Sequence, residues 1–202
     1  VMPIDCIENY INIVHETFTK YDPLYVISGD TDFNTDLCIE HYVKCAKQLK
    51  ELAPHCLYTT HIKGRYTYIP DDLYSYLDLC FYQSGHNAQN LAMPYLLAEE
   101  MIDKYKGKPV INSEPCYEDM GYSRQMYGRW SKEDIIRAAW MSLLSGAGAG
   151  ITYGAAGIYS WHSTNKGFEA SLGEGFATPK CWQQALCFDG AWDYGYIKYI
   201  FE

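Results

Sequence analysis

The sequence is short of positive charge, of long apolar runs, and of the cysteine and histidine spacings that mark a metal centre. Against 25 Asp and Glu stand 16 Lys and Arg, a net charge of −9. A nucleic-acid groove would need the reverse balance, so nucleic acid is not an expected partner. No block of like charges marks an interaction tail. No apolar run approaches the roughly 20 residues that cross a bilayer, so a membrane is not an expected partner either. The longest weakly polar stretch, Ala138 to Tyr159, is broken by five glycines and reads as a small-residue helix running into a strand. The spacings C-x-x-C, H-x-H and H-E-x-x-H are missing, as are the common nucleotide-binding fingerprints. Neither cofactor nor metal is therefore expected, although histidines and carboxylates on one rim remain an open metal alternative. There is no internal repeat and no linker that would divide the chain.

Eight cysteines are nonetheless present. Cys38 and Cys45 share one helical pattern and Cys80 lies inside an apolar run. Buried free thiols in a reducing compartment, the cytoplasm, are the expectation. The other excess is aromatic: 16% of residues, with 20 Tyr. Aromatic faces suit the C–H faces of sugars, but they fill cores equally well.

Apolar periodicity divides the chain into alternating elements. Helices are predicted over Asp5–Tyr21, Asp36–Ala53, Pro70–Tyr76, Met93–Tyr105 and Lys132–Leu144, with a terminal helical region over Pro179–Phe201 interrupted at Asp189-Gly190. Strands are predicted over Leu24–Ile27, Leu57–Thr60, Leu77–Tyr82, Pro109–Asn112 and Ile151–Tyr153, with a further apolar piece over Ile158–Trp161. Alternation of this kind predicts an α/β fold with a parallel sheet. Polar residues gather just past the strands: Asp30, His61, Gln83, Glu114 and, less clearly, Trp161. In a parallel barrel those positions open onto one rim, where such folds place their chemistry.

Asp30 and Glu114 each follow an apolar strand directly. Two carboxyl groups facing each other across a barrel mouth are what glycosidic bond cleavage uses, one as acid and one as nucleophile or base. The competing reading is a pair of solvated loop carboxylates. The acid would need a raised pKa, which partial burial beside the other carboxylate could supply.

A series of short motifs sharpens this reading. Ile27-Ser28-Gly29-Asp30, Leu57-Tyr58-Thr59-Thr60-His61, Gln83-Ser84-Gly85-His86 and Lys108-Pro109-Val110-Ile111-Asn112-Ser113-Glu114-Pro115 occur in that order. Arg137-Ala138-Ala139-Trp140, Leu143-Leu144-Ser145-Gly146-Ala147, Thr152-Tyr153-Gly154-Ala155 and Trp182-Gln183-Gln184-Ala185-Leu186 with Gly190-Ala191 follow. From about Leu24 to Phe201 the chain resembles the apiosidase-like glycoside hydrolases, once grouped as a domain of unknown function and often named as collagenases or collagen-binding proteins.

The resemblance implies a (β/α)8 TIM barrel of which this chain is an excerpt, from roughly helix 3 to helix 8. Residues 1–202 would be part of the catalytic barrel, with upstream strands 1–3 of the same barrel and a downstream β-sandwich domain expected outside it. The chain opens in mid-pattern at Val1 and is shorter than the roughly 250 residues of a whole barrel, which fits an excerpt. Family members carry an aspartate after the fourth strand and a glutamate after the seventh, matching Asp30 and Glu114. The family often has a basic residue after Gly-Asp where this chain has Thr31-Asp32, so Asp32 is an alternative acid. Substrate contacts are expected from His61, Gln83, His86, Tyr117, Tyr153 and Trp161. Structural histidines and core aromatics are the competing readings.

The implied partner is an oligosaccharide of plant type, apiose-containing pectin among them; cleavage with retention is the expectation, and a carboxyl separation of roughly 6.5–9.5 Å would point to inversion instead. A carbohydrate-binding pseudoenzyme and a collagen- or protein-binding module are the rival classes. Family members are frequently exported, which leaves the compartment open against the cysteines.

Overall fold

The computed structural model describes residues 2–122, 127–163 and 178–201. Five short parallel strands alternate with helices. Strand β1 (Leu24–Val26) pairs with β2 (Leu57–Thr59), and β3 (Cys80–Tyr82) pairs with β4 (Val110–Asn112), which pairs with β5 (Gly150–Ile151). The two sheets adjoin: Asp78 N–H donates to the Tyr58 carbonyl (2.8 Å) and Arg65 N–H to the Gln83 carbonyl (2.9 Å). Mixed α/β architecture with parallel pairing is therefore as the alternation predicts.

Around the strands run α1 (Ile7–Phe18), α2 (Asp36–Leu52), the short α3 (Asp71–Tyr74), α4 (Met93–Lys104), α5 (Lys132–Leu144), the short α6 (Trp182–Ala185) and α7 (Asp189–Phe201). Local chemistry sets their ends. Thr35 Oγ1 accepts from Cys38 N–H to open α2, and Ser131 with Asp134 forms a reciprocal capping box on α5. The carbonyls at the end of α2 are met from the sheet, because the one proton of the Tyr58 hydroxyl is shared between Leu49 O (2.8 Å) and Ala53 O (2.7 Å). That bond fixes where α2 ends relative to β2.

The α1 stripe buries Ile7 and Ile11, one turn apart, against Tyr25, Leu49, Ala53, Cys56 and Tyr58. Burying an isoleucine side chain contributes about 1.5–3 kcal/mol, enough to hold a 12-residue helix that is marginal alone. A second cluster, around Ile62, Leu73, Tyr82, Leu97 and Met101, joins α2, α3 and α4 to the middle strands.

Several predicted bounds shift. The third strand begins at Cys80 rather than Leu77, because Asp78 is turned toward its neighbour: its carboxylate accepts from Tyr58 N–H (2.9 Å) and from Lys50 Nζ (2.8 Å). The segment Ile158–Trp161 is a run of turns, with Ile158 N–H on Ala155 O and Trp161 N–H on Ile158 O. All eight cysteines are free, as expected, but only Cys56, Cys80 and Cys116 are buried; Cys6 and Cys187 are exposed. Among the described residues no helix is long and apolar enough to cross a membrane.

Candidate active site

The parallel register carries the chain past the C-terminal ends of β1, β2, β3 and β4 side by side, since Val26 lies beside Thr59 and Tyr82 beside Asn112. The residues just beyond those ends therefore converge. Asp30, His61, Gln83, His86 and Glu114 form one hydrogen-bonded cluster. His61 stands between the carboxylates, with Nε2 at 3.1 Å from Asp30 Oδ1 and 3.1 Å from Glu114 Oε2. The other Glu114 oxygen, Oε1, meets His86 Nε2 at 2.8 Å. Gln83 Nε2 donates to Asp30 Oδ1 (2.5 Å) and to Ile62 O (2.8 Å).

The supporting layer is buried and polar. Asn112, fully enclosed at the end of β4, donates to Ser84 Oγ (3.0 Å) and Ser142 Oγ (2.9 Å). Ser28 bonds Thr60 and donates to the His61 carbonyl (2.8 Å), which ties the two chains that carry Asp30 and His61. His86 is held by its carbonyl, which accepts from Trp130 Nε1 (3.0 Å), and by the Tyr117 ring lying 4.4 Å away in an edge-on arrangement. Tyr117 reaches that place because Gly154 has no side chain. A Cβ there would meet the Tyr117 ring at 2.1 Å.

The two carboxylates differ in setting. Glu114 has a side chain 21% exposed, and burial alone would push its pKa up. Hydrogen bonds from His61 and His86, together with their charge, overcome that and hold it at about 2. His61 is raised, chiefly by its bond to Glu114 and against its own burial. Tyr117 is raised by burial and then by the charges of Glu114 and Asp30, so it stays a neutral phenol. Asp30 is the opposite of enclosed: its side chain is 72% exposed, so the partial burial expected for the acid is not supplied by the described residues.

Not every candidate joins the cluster. Asp32 pairs with Lys63 Nζ at 3.3 Å instead of meeting His61. Tyr153 points its hydroxyl at Glu118 Oε2 (2.7 Å) and packs on Tyr194, in keeping with core packing rather than a substrate wall. Trp161 is well exposed, in a left-handed backbone conformation (φ 47°), and stacks on Trp182 with ring centroids 4.8 Å apart. Two residues were missed by sequence reasoning. Tyr159 packs 5.7 Å from Tyr117 and is half exposed, extending the aromatic edge that starts at His86. Glu118, buried, accepts from Tyr153 and from Gly190 N–H (3.2 Å); nothing in a loop glutamate's sequence setting marks it as buried. Asp30, His61 and Glu114 also offer three ligand atoms within 4.8 Å of one another, the one place on this rim that could hold a metal ion among the described residues.

A parallel α/β fold with an acidic pair and histidines past its C-terminal strand ends is an arrangement compatible with the glycoside hydrolase class. The chain belongs to the apiosidase-like catalytic-domain family, whose profile matches residues 1–202. It superposes on a solved glycoside hydrolase with TM-score 0.79 at 24% identity, covering 98% of this chain and 47% of that one. A glycoside hydrolase family 5 protein from Bacteroides vulgatus gives TM-score 0.78 at 25% identity, covering 98% and 45%. The chain thus spans less than half the length of these relatives. No curated protein matches it significantly.

Proposed function

We propose that this chain carries the catalytic carboxylates of a retaining glycosidase, Glu114 as nucleophile and Asp30 as acid and then base. The observation that carries the reading is the separation of the pair: an Asp30 oxygen and a Glu114 oxygen lie within 4.8 Å of each other, bridged by His61. Retaining enzymes hold their carboxyl groups about 5–5.5 Å apart, whereas inverting ones leave roughly 6.5–9.5 Å for a water. A nearest-oxygen gap of this size supports the retaining side of that division.

The roles follow from the settings. A nucleophile must be ionised, and Glu114, held near pKa 2 by two imidazoles, is a carboxylate at any working pH. It attacks the anomeric carbon as the bond to the leaving oxygen breaks, and Asp30 delivers a proton to that oxygen. Water, deprotonated by Asp30, then releases the sugar from Glu114. His61 stands within hydrogen-bond reach of both and keeps a proton between them as charge moves. Gln83 orients Asp30, His86 orients Glu114, and the Tyr117 and Trp161 faces are offered to sugar rings. The substrates are plant-type oligosaccharides, apiose-bearing pectic fragments first among them, as family membership favours. The five strands then belong to an eight-stranded barrel, which the length of the superposed relatives supports.

The test is turnover of apiose-bearing pectic oligosaccharides by the intact protein. Asp30→Asn and Glu114→Gln should each remove most activity, and NMR of the first-formed product should show the substrate's own anomer. Near-normal rates from either variant would overturn the pair; an inverted product would overturn Glu114 as nucleophile.

A further inference from the structure

Strands β1 and β2 bring a second set of chemistry-bearing residues together at their other ends, away from the carboxylate pair. The parallel register sets Leu24 beside Leu57, so the residues two places earlier, Asp22 and His55, are also neighbours. His55 Nε2 lies 3.3 Å from Asp22 Oδ1. Cys56, next in sequence, turns into the protein and is 3% exposed. Its Sγ, the imidazole and the carboxylate supply three ligand atoms that all lie within 4.8 Å of one another.

We propose that Asp22, His55 and Cys56 form a binding site for one zinc-class divalent ion, with water completing the coordination. The donor set is the argument. Thiolate, imidazole and carboxylate are the three protein ligands of tetrahedral Zn2+, whereas Ca2+ and Mg2+ take oxygen throughout. A surface ion pair explains only two of the three residues, and a pair with side chains 54% and 81% exposed contributes little. It leaves out Cys56, which packs in the core under α1 while its Sγ lies within 4.8 Å of both other ligand atoms.

The framework is fixed on both strands. Asp22 caps a short turn in the left-handed region (φ 48°), which aspartate adopts more readily than most residues, its N–H donating to Thr19 O (3.0 Å). Cys56 is anchored by its own N–H on Ala53 O (3.1 Å). Bringing the three atoms onto one ion requires only that the exposed Asp22 and His55 side chains close on a fixed thiol.

Co2+ titrated into the metal-free protein tests this, because a thiolate ligand gives cobalt a near-ultraviolet charge-transfer band and a tetrahedral site gives intense visible bands. One equivalent should develop both, and Zn2+ should abolish them while Mg2+ and Ca2+ do not. Asp22→Asn and His55→Ala, both at exposed positions, should weaken binding by about tenfold or more. Cys56→Ser should lose the charge-transfer band; if burial makes that variant unfold, the two exposed variants decide alone. His61→Ala should leave the band intact, which separates this site from the carboxylate pair. No thiolate band in the folded wild-type protein would overturn the proposal. So would a band that survives both Asp22→Asn and His55→Ala at unchanged affinity, because another cysteine would then be the ligand.

Discussion

Glu114→Gln should flatten the acid limb of the stability curve. In the native protein the Glu114 carboxyl sits at about 2 against an ordinary value of 4.5, and its side chain is only 21% exposed, so solvent screening takes little away. A depressed carboxylate stabilises the fold above its unfolded value and loses that contribution as pH falls through the folded one. The full contribution is about 3 kcal/mol, and about 2 kcal/mol of it is already gone at pH 3. His61 sees the same bond from the other side: its raised pKa stabilises the fold below about 6.5 and is lost as pH rises through the folded value. The two are one interaction and are counted once. Urea unfolding of wild type and variant at pH 5 and pH 3 isolates the effect as a double difference, since that window lies below the histidine titration and every other carboxylate titrates in both proteins. The wild type should lose about 2 kcal/mol more than the variant. Parallel losses would refute the claim that the two histidines hold Glu114 ionised.

His86→Ala removes one of the two imidazoles on Glu114, so its pKa should climb; the acid limb of kcat/KM should move to higher pH, which a pH–rate profile reads. Asp32→Asn breaks only the contact with Lys63, and turnover should stay within about twofold of wild type, as expected for an exposed ion pair. A loss comparable to that of Asp30→Asn would move the acid role to Asp32. Gly190→Ala should destabilise by about 1–3 kcal/mol, read as a lowered melting temperature. The new Cβ would meet Glu118 Oε2 at 2.2 Å and Ile135 Cδ1 at 2.5 Å, which outweighs the roughly 1 kcal/mol that alanine gains in a helix.

The order of elements and the strand tips were legible because an apolar run that stops abruptly at a polar residue leaves few alternatives. Glu114 follows Val110–Asn112, and Asp30 follows Leu24–Val26 by a short turn. What was not legible depends on hydrogen bonds made across the fold. Ile151–Tyr153 reads as a strand, yet pairing stops early: Gly154 O accepts from Glu118 N–H (2.9 Å), and Tyr153 turns its phenol to Glu118. The loop after β4 captures the chain after β5, and no local propensity encodes that. Tyr153, ending a predicted strand, and Tyr117, in the loop after another, are both aromatics at strand tips in the sequence. Only Gly154, whose missing side chain makes room for one ring, separates the phenol beside His86 from the phenol in the core.

The same cross-fold bonds explain why two carboxylates at equivalent strand tips are not equivalent chemically. Glu114 is enclosed, and each of its oxygens meets an imidazole, so its charge is balanced on both sides before any substrate arrives. Asp30 stands largely in solvent and shares one oxygen between Gln83 and His61. In the mechanism proposed above, the enclosed group is the one that attacks, and the open one is the one that the leaving oxygen and water can reach. The asymmetry traces to Gln83 and His86 on one strand tip: two residues past the glutamine the chain turns at Gly85 (φ 70°), which swings His86 to Glu114 while Gln83 stays with Asp30. A single turn after β3 thus serves both carboxylates and gives them different settings.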